Sequence, residues 1–191
     1  MMVRFLSILK PKRSWFQYRL KTLFVLVVVV ALPCVWLAWK RDAKRKERAA
    51  KAAIEQLGGY CLYRWKMENA PDPPGPEWLR RLLGEDFFTN VDVVALYAED
   101  TDAAMTYVKE MPHLTIVTLS ESQLTDEGLS NVEGLNGLHH LHLDNTHITD
   151  NGLKYLEGLT SLNTLLLAKT QTTDAGVSEL QKALPNCEIK R

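Results

Sequence analysis

A 24-residue repeat in the second half of the chain limits what this sequence can fold into more than any other feature. It is marked by Thr-Asp pairs that begin at Thr101, Thr125, Thr149 and Thr173. In the last three copies a glycine follows two residues after the aspartate, as Gly128, Gly152 and Gly176. Upstream, an L-x-x-L-x-L pattern recurs with the same period, as in Leu138, Leu141 and Leu143. Two patterns that share one period indicate a stack of structurally equivalent units.

The alternation within each L-x-L segment predicts a short β-strand. In one copy Val117 and Leu119 fall on one face of the strand, and Thr118 falls on the other. Stacked copies form a parallel sheet with strands about 4.8 Å apart, and each Thr-Asp-x-Gly segment predicts a short convex helix. A period of roughly 20–29 residues with this strand motif is typical of leucine-rich repeats. The sequence therefore predicts an α/β fold, a short leucine-rich-repeat solenoid, over residues 99–191.

The small polar residues of the repeat are predicted to have structural roles. Thr149 would cap a short helix, and Asp150 would place an acid in its first turn. Gly152 would allow the neighbouring unit to approach closely. Hydroxyl groups just past the strands would bond to the backbone of the turn; they belong to Ser122, Thr146 and Thr170. None of these residues needs a catalytic explanation.

The T-D-x-G-L form of the repeat resembles the short leucine-rich repeats of planctomycete-type bacterial proteins. It is also similar to the repeats of F-box substrate receptors, although their cysteine is missing here. Residues 15–27 look like the N-terminal anchor of the same planctomycete proteins, which has an F-x-L-R-x-L-L-x-L-V pattern. The resemblance implies a membrane-anchored protein whose repeats bind partners, and it carries over no catalytic residues.

An uncharged apolar run at residues 22–39 predicts a transmembrane helix. As a helix it would span about 27 Å, close to the roughly 30 Å hydrocarbon core of a bilayer. Aromatic residues flank both ends, as interface anchors do: Trp15, Phe16, Tyr18, Trp36 and Trp39. A cleaved signal peptide would have a shorter apolar core, and residues 37–40 make a poor cleavage site.

Charge is spread unevenly around this run, although the formal net charge of the chain is zero. Residues 1–21 form a basic tail, and the first 51 residues contain no acids besides Asp42 and Glu47. Basic residues are almost equally frequent on both sides of the run, so the positive-inside rule barely separates the two orientations. The absence of acids before the run favours a cytoplasmic N-terminus. A single-pass protein of the bacterial cytoplasmic membrane is predicted, with its solenoid on the outer side.

Residues 40–57 predict a basic juxtamembrane helix, because they are rich in Ala, Lys, Arg and Glu and end at Gly58. Its cations are expected to contact anionic headgroups, each contributing about 1 kcal/mol. Membrane lipid is therefore an expected partner through residues 22–51. Nucleic acid is not expected, because no aromatic residues are interleaved with these charges.

Residues 58–98 predict an N-terminal cap over the open end of the solenoid. Residues 60–65 read as an edge strand, residues 77–83 as a short helix ended by a glycine, and residues 91–96 as the first strand of the parallel sheet. If Val94 and Leu96 belong to the leucine pattern, this first copy is one residue out of register. Residues 184–189 replace the next leucine pattern as a C-terminal cap, with an L-P-N-C-x-I ending that is usual in the resembling family.

The exposed inner face of the sheet is the predicted partner-binding surface. Alternation along the strands assigns it Ile116, Thr118, Ser120, His140, His142, Asp144, Thr164 and Leu166. His140, His142 and Asp144 share one strand and are zinc-ligand types, but a straight line of groups about 6.6 Å apart fits a tetrahedral site badly. No metal, cofactor or catalytic centre is predicted, since the sequence has neither a nucleophile elbow nor a phosphate-binding loop.

The predicted function is a membrane-anchored, non-catalytic module for interaction with an unknown protein partner. Four strands would give an inner face some 15–20 Å wide, which is small beside a standard interface of roughly 800 Å² per partner. The partner would then also contact the loops or the cap, or clustering in the membrane would add avidity. The alternative is a structural envelope scaffold whose repeats act as a spacer and self-associate through the solenoid ends.

Overall fold

The computed structural model describes residues 13–67, 72–97 and 101–191. For residues 13–20, Trp65 and Met67 it describes the backbone alone. Most of the predicted basic tail, and the side chains of the aromatic residues before the apolar run, therefore lie outside the described residues. The chain divides into two units, Met1–Ala43 and Lys44–Arg191.

Helices and strands follow one another along the described residues. The helices are α1 (Arg13–Gln56), α2 (Arg64–Met67), α3 (Glu77–Leu83), α4 (Thr101–Val108), α5 (Asp126–Leu129), α6 (Asp150–Leu153) and α7 (Asp174–Ala183). The strands are β1 (Tyr60–Tyr63), β2 (Val91–Ala95), β3 (Ile116–Thr118), β4 (His140–His142), β5 (Thr164–Leu166) and β6 (Glu188–Lys190). Short 3₁₀ turns lie at Glu85–Phe88, Ser130–Val132 and Lys154–Leu156.

In the first unit the structure describes the N-terminal part of α1, and most of the apolar side chains described there are exposed. Leu23, Phe24 and Trp39 are each more than half exposed. Within Lys21–Gln56 an 18-residue window has a mean hydropathy of 2.5 and buries no residue. By length and composition the helix is sufficient to cross a membrane, and an N-terminal signal sequence would meet the same test.

Six strands form one sheet in the order β1-β2-β3-β4-β5-β6. β1 is antiparallel to β2, and every later neighbour pair is parallel. The pairing aligns one inward residue in each parallel strand: Val94, Val117, Leu141, Leu165 and Ile189. The first of these intervals is one residue shorter than the others, as the sequence pattern predicted. The sheet is wider than the four strands expected, because β1 and β6 each add an edge.

The core lies between this sheet and the convex helices. Leucines of the repeat pattern supply much of it, and Leu119, Leu138 and Leu143 are completely buried. Leu129 and Val132 on one turn, and Leu153 and Leu156 on the next, close the core from the helical side. This arrangement of parallel strands and short helices with a 24-residue period fits a leucine-rich-repeat solenoid.

Strands β3, β4 and β5 end in the same hydrogen-bonded turn. The hydroxyl of Ser122 donates to the carbonyl of Leu119 at 2.7 Å, as predicted. Thr146 and Thr170 make the equivalent bonds at 2.7 and 2.8 Å. The turn also requires a left-handed residue before each hydroxyl, with φ values of 60° at Glu121, 55° at Asn145 and 57° at Lys169. Asparagine tolerates that conformation better than glutamate or lysine does.

Neighbouring repeats are joined by their Thr-Asp pairs. Asp126 accepts the backbone N–H of Thr149 at 2.9 Å and the hydroxyl of Thr149 at 2.6 Å. The same two bonds join Asp102 to Thr125 and Asp150 to Thr173. A Cβ on Gly152 would lie 2.3 Å from Asp126 Oδ1, so the glycine allows the close approach that the sequence predicted. We refer to this Asp–Thr–Gly contact as the repeat interlock.

Helix capping by these threonines is less regular than predicted. Thr149 accepts from the N–H of Asn151 and Thr173 accepts from that of Gly176, but Thr125 makes no side-chain capping bond. A hydroxyl can donate its proton to an aspartate and accept an N–H at the same time, as Thr149 and Thr173 do, so capping is an additional bond. Donation to the aspartate of the preceding repeat is the bond that all three threonines make. The main role of the threonine is therefore to join two repeats.

The last turns of α1 belong to the second unit, where Ala50 and Ile54 enter the core. Lys44 is only 5% exposed. Its ammonium donates to Glu47 Oε2 at 2.8 Å, to Asn90 Oδ1 at 2.7 Å and to the carbonyl of Thr89. The prediction that this side chain contacts lipid headgroups is therefore wrong, because Lys44 fixes the helix to the cap.

Candidate functional site

The inner face of the sheet consists of the residues that alternate with the buried ones along β3, β4 and β5. Pairing places Ile116, His140 and Thr164 in one row and Thr118, His142 and Leu166 in the next. Ser120 and Asp144 continue the face past the strand ends, and all eight predicted residues are half-buried. The structure thus brings the whole predicted set together on one surface.

Asp144 is bound within this surface. Its Oδ1 accepts the backbone N–H of Ala168 at 3.0 Å, and its Oδ2 accepts the hydroxyl of Ser120 at 3.3 Å. The carboxylate therefore links three neighbouring repeats at the strand ends. An acid at this position both contributes polarity to the face and stabilises it.

The two histidines stand side by side on β4, separated by the buried Leu141. His140 lies between Ile116 and Thr164, and His142 lies between Thr118 and Leu166. Among the described residues, no group of three or more His, Cys, Asp or Glu side chains is arranged to hold a metal ion. With apolar and hydroxyl-bearing neighbours, the imidazoles are suited to packing and hydrogen bonding against another surface.

Two tyrosines that were not predicted to belong to the inner face extend it at its β1 edge. Tyr60 pairs with Ala95, so its side chain lies on the same face as that residue. Tyr97 follows Ala95 at a spacing of two, and the ring centroids of Tyr60 and Tyr97 are 6.2 Å apart. A hydrogen bond between the two side chains raises the pKa of Tyr97. Continuing the strand alternation beyond β2 would have identified Tyr97.

The opposite edge of the face is charged. Glu188 and Lys190 on β6 are exposed, and their charged groups lie 3.1 Å apart. Six strands give the sheet a width of about 24 Å. The face therefore changes from aromatic at β1, through imidazole and hydroxyl groups, to an ion pair at β6, and it is wider than the sequence predicted.

The serine hydroxyls of this region are engaged in hydrogen bonds. Ser120 donates to Asp144 and Ser122 to the carbonyl of Leu119. Ser130, on the convex side, donates to the carbonyl of Glu127 at 2.6 Å. In the described bonds these hydroxyls stabilise turns and strand ends, and none of them bonds to an imidazole.

The two ends of the solenoid differ. At the N-terminal end Thr101 is buried and β1 covers the edge of β2. At the C-terminal end Asp174, whose side chain is 97% exposed, accepts a hydrogen bond from Arg191. The groups that interlock the repeats are thus exposed at one end and buried at the other.

No protein-family model matches the chain, and no curated protein matches it. Two solved structures to which the chain is similar come from bacteria. A leucine-rich-repeat protein of Leptospira interrogans has 22% sequence identity and a TM-score of 0.35, over 45% of this chain and 27% of that chain. An internalin of Listeria monocytogenes has 20% identity and a TM-score of 0.35, over 50% of this chain and 33% of that chain. This chain spans about a third of those proteins or less.

Proposed function

We propose that this chain is a membrane-anchored, non-catalytic module that binds a protein partner through the inner face of its leucine-rich-repeat sheet. One observation supports this most directly: on the inner side of the sheet from β3 to β5, the predicted side chains are only partly buried. Histidine, threonine, leucine and tyrosine side chains on a rigid sheet offer both apolar contact and hydrogen bonds. Aromatic residues are enriched in the cores of protein interfaces.

The size of the surface indicates how the partner would bind. Strands of three to five residues in a sheet about 24 Å wide give a footprint on the order of 350 Å². A standard interface needs roughly 800 Å² per partner. The partner would therefore also contact Tyr60, Tyr97 and the loops at the strand ends, or several anchored copies would bind together.

Anchoring is proposed through the apolar part of α1. Its hydropathy and exposure support a membrane span. We propose the outer side of a bacterial cytoplasmic membrane for the solenoid, because no acidic residue precedes the apolar run. A reporter active on one side of the membrane, fused after Arg191, tests this topology. A signal outside the cytoplasm is expected, a cytoplasmic signal would reverse the orientation, and a soluble fusion would remove the anchor.

The binding surface is tested with charged substitutions in the full chain. His142→Glu and Thr118→Glu should abolish capture of a partner by cross-linking in native membranes, because each buries a new carboxylate at the contact. Asn136→Glu adds the same charge on an exposed loop and serves as the matched control. If both inner-face variants capture the same protein as wild type, the inner face is not the binding surface.

The self-associating spacer has less support. Stacking of copies through the repeat interlock would need a free threonine at the N-terminal end, but Thr101 is buried beneath the cap. A head-to-tail array would also place a second copy against the charged edge of β6, where Glu188 and Lys190 are exposed. Charged edge strands oppose such pairing.

A further inference from the structure

Helix α3 carries an exposed apolar pair that the fold does not use. Trp78 is 68% exposed and Leu82 is 71% exposed. They are one helical turn apart and therefore form a single stripe. The other two leucines of the helix, Leu79 and Leu83, are half-buried, and no residue of α3 is fully buried.

This stripe is held on an ordered element. The guanidinium of Arg48 donates to the carbonyl of Leu83 at 3.4 Å and forms an ion pair with Asp86 at 2.5 Å. Arg80 donates to the carbonyl of Pro73, which ties the helix to the loop before it. The cap positions α3 through these polar bonds, so Trp78 and Leu82 are presented outward without contributing to its attachment.

The covalent chain limits how far α3 can lie from the proposed membrane span. Arg48, which bonds to the last residue of α3, follows Trp39 by nine residues. Even a fully extended chain of that length reaches only about 30 Å. A tether this short keeps the helix at an effective concentration in the millimolar range near the bilayer surface.

We propose that Trp78 and Leu82 insert into the headgroup region of the membrane in which the chain is anchored. Tryptophan prefers that region because its ring is apolar and its indole N–H is polar. Arg81 stands beside them; its side chain is 79% exposed and forms an exposed ion pair with Glu77 at 2.5 Å. An exposed pair of this kind is weak, so the guanidinium can also bind a lipid phosphate. This inference rests on the proposed anchor and adds a second lipid contact, which would hold the solenoid at the surface.

The test uses the full chain in liposomes that contain a spin-labelled lipid as quencher. A fluorophore sensitive to polarity is attached at Leu82→Cys in a Cys34→Ala background. The remaining cysteines are buried, and burial raises the pKa of the Cys61 thiol to about 12, so neither competes for a maleimide label near neutral pH. Glu179→Cys, at an exposed position on α7, is the matched control.

Quenching several-fold stronger at Leu82→Cys than at Glu179→Cys is expected, and Trp78→Ser should reduce it, since the stripe loses its larger member. Equal quenching at both positions, in chains that float with the liposomes, would overturn the insertion of α3 into the membrane. Trp78 and Leu82 would then be assigned to contact with a protein. A chain that does not float with the liposomes would instead overturn the proposed anchor and, with it, this inference. The flotation and quenching readouts thus separate the two failures.

Discussion

Replacing Gly152 by alanine mainly perturbs one repeat interlock, and its Cβ would also lie 3.1 Å from Ile148 Cγ2. An ideal Cβ there would lie 2.3 Å from Asp126 Oδ1 and 3.0 Å from Asp126 Cγ. The carboxylate must then rotate away from Thr149, or the two repeats must separate. Either movement breaks the bonds from the N–H and the hydroxyl of Thr149.

The expected loss follows from those two bonds. Hydrogen bonds to charged groups contribute about 1.5–3 kcal/mol each, and partial exposure places this pair at the lower end. Gly152→Ala should therefore lower the free energy of unfolding by about 3 kcal/mol. For a folded unit of this size that is a decrease in Tm of about 6–12 °C.

Urea titration of the full chain in detergent micelles measures this decrease in the free energy of unfolding. Unfolding is monitored by near-UV circular dichroism, because α1 dominates the far-UV signal. Gly158→Ala is the matched control, since a Cβ there meets nothing within 4 Å, and it should stay within about 1 kcal/mol of wild type. In an Asp126→Ala background the cost of Gly152→Ala should largely disappear. A Gly152→Ala chain as stable as wild type, or a cost that persists without the carboxylate, would refute the interlock.

Two further predictions concern charged groups. Lys44→Met should lower the free energy of unfolding by about 3–5 kcal/mol, because the carboxylate of Glu47 stays buried without its cation. Adding Glu47→Leu to this variant should recover much of the loss in the same urea titration. If the double variant recovers no stability, the ion-pair explanation is contradicted. Asp150→Asn should flatten the acid side of the stability profile. Bonds from the backbone N–H and then the hydroxyl of Thr173 lower the pKa of Asp150 from 3.8. The stability that this carboxylate contributes is thus complete above pH 3.8 and is lost as the pH falls through the folded-state value. Urea titrations from about pH 5 to about pH 2.5 check this. If wild type and Asp150→Asn lose the same free energy of unfolding as the pH falls, protonation of Asp150 is not coupled to stability.

Most of the repeat region could be predicted from the sequence, because a periodic chain places equivalent residues in equivalent surroundings. Leu141 and Leu165 had to occupy the same buried position once the period was known, and His140 and His142 then had to face the other way. The pattern also pointed to the turn hydroxyls. It did not reveal the partner of Asp126, since only a neighbouring repeat in three dimensions shows which group the carboxylate can reach.

The cap was less predictable because no period relates its parts. Lys44 meets Thr89 and Asn90 across more than forty residues of sequence, and a cation in a basic segment looks like a solvated one. Tyr60 joined the inner face only through an antiparallel pairing with Ala95. Contacts of this kind depend on how separate segments meet, and a single sequence carries no local signal for them.

The repeat interlock also affects how a chain of this kind can gain repeats by duplication. Each unit brings an aspartate for the unit after it and a threonine and glycine for the unit before it, so a duplicated 24-residue segment is compatible with both of its new neighbours. Every added copy would lengthen the sheet by about 4.8 Å while leaving the cap unchanged. The area offered to a partner is therefore set by gene duplication, and its chemistry is set by the few residues of each copy that lie on the inner face of the sheet.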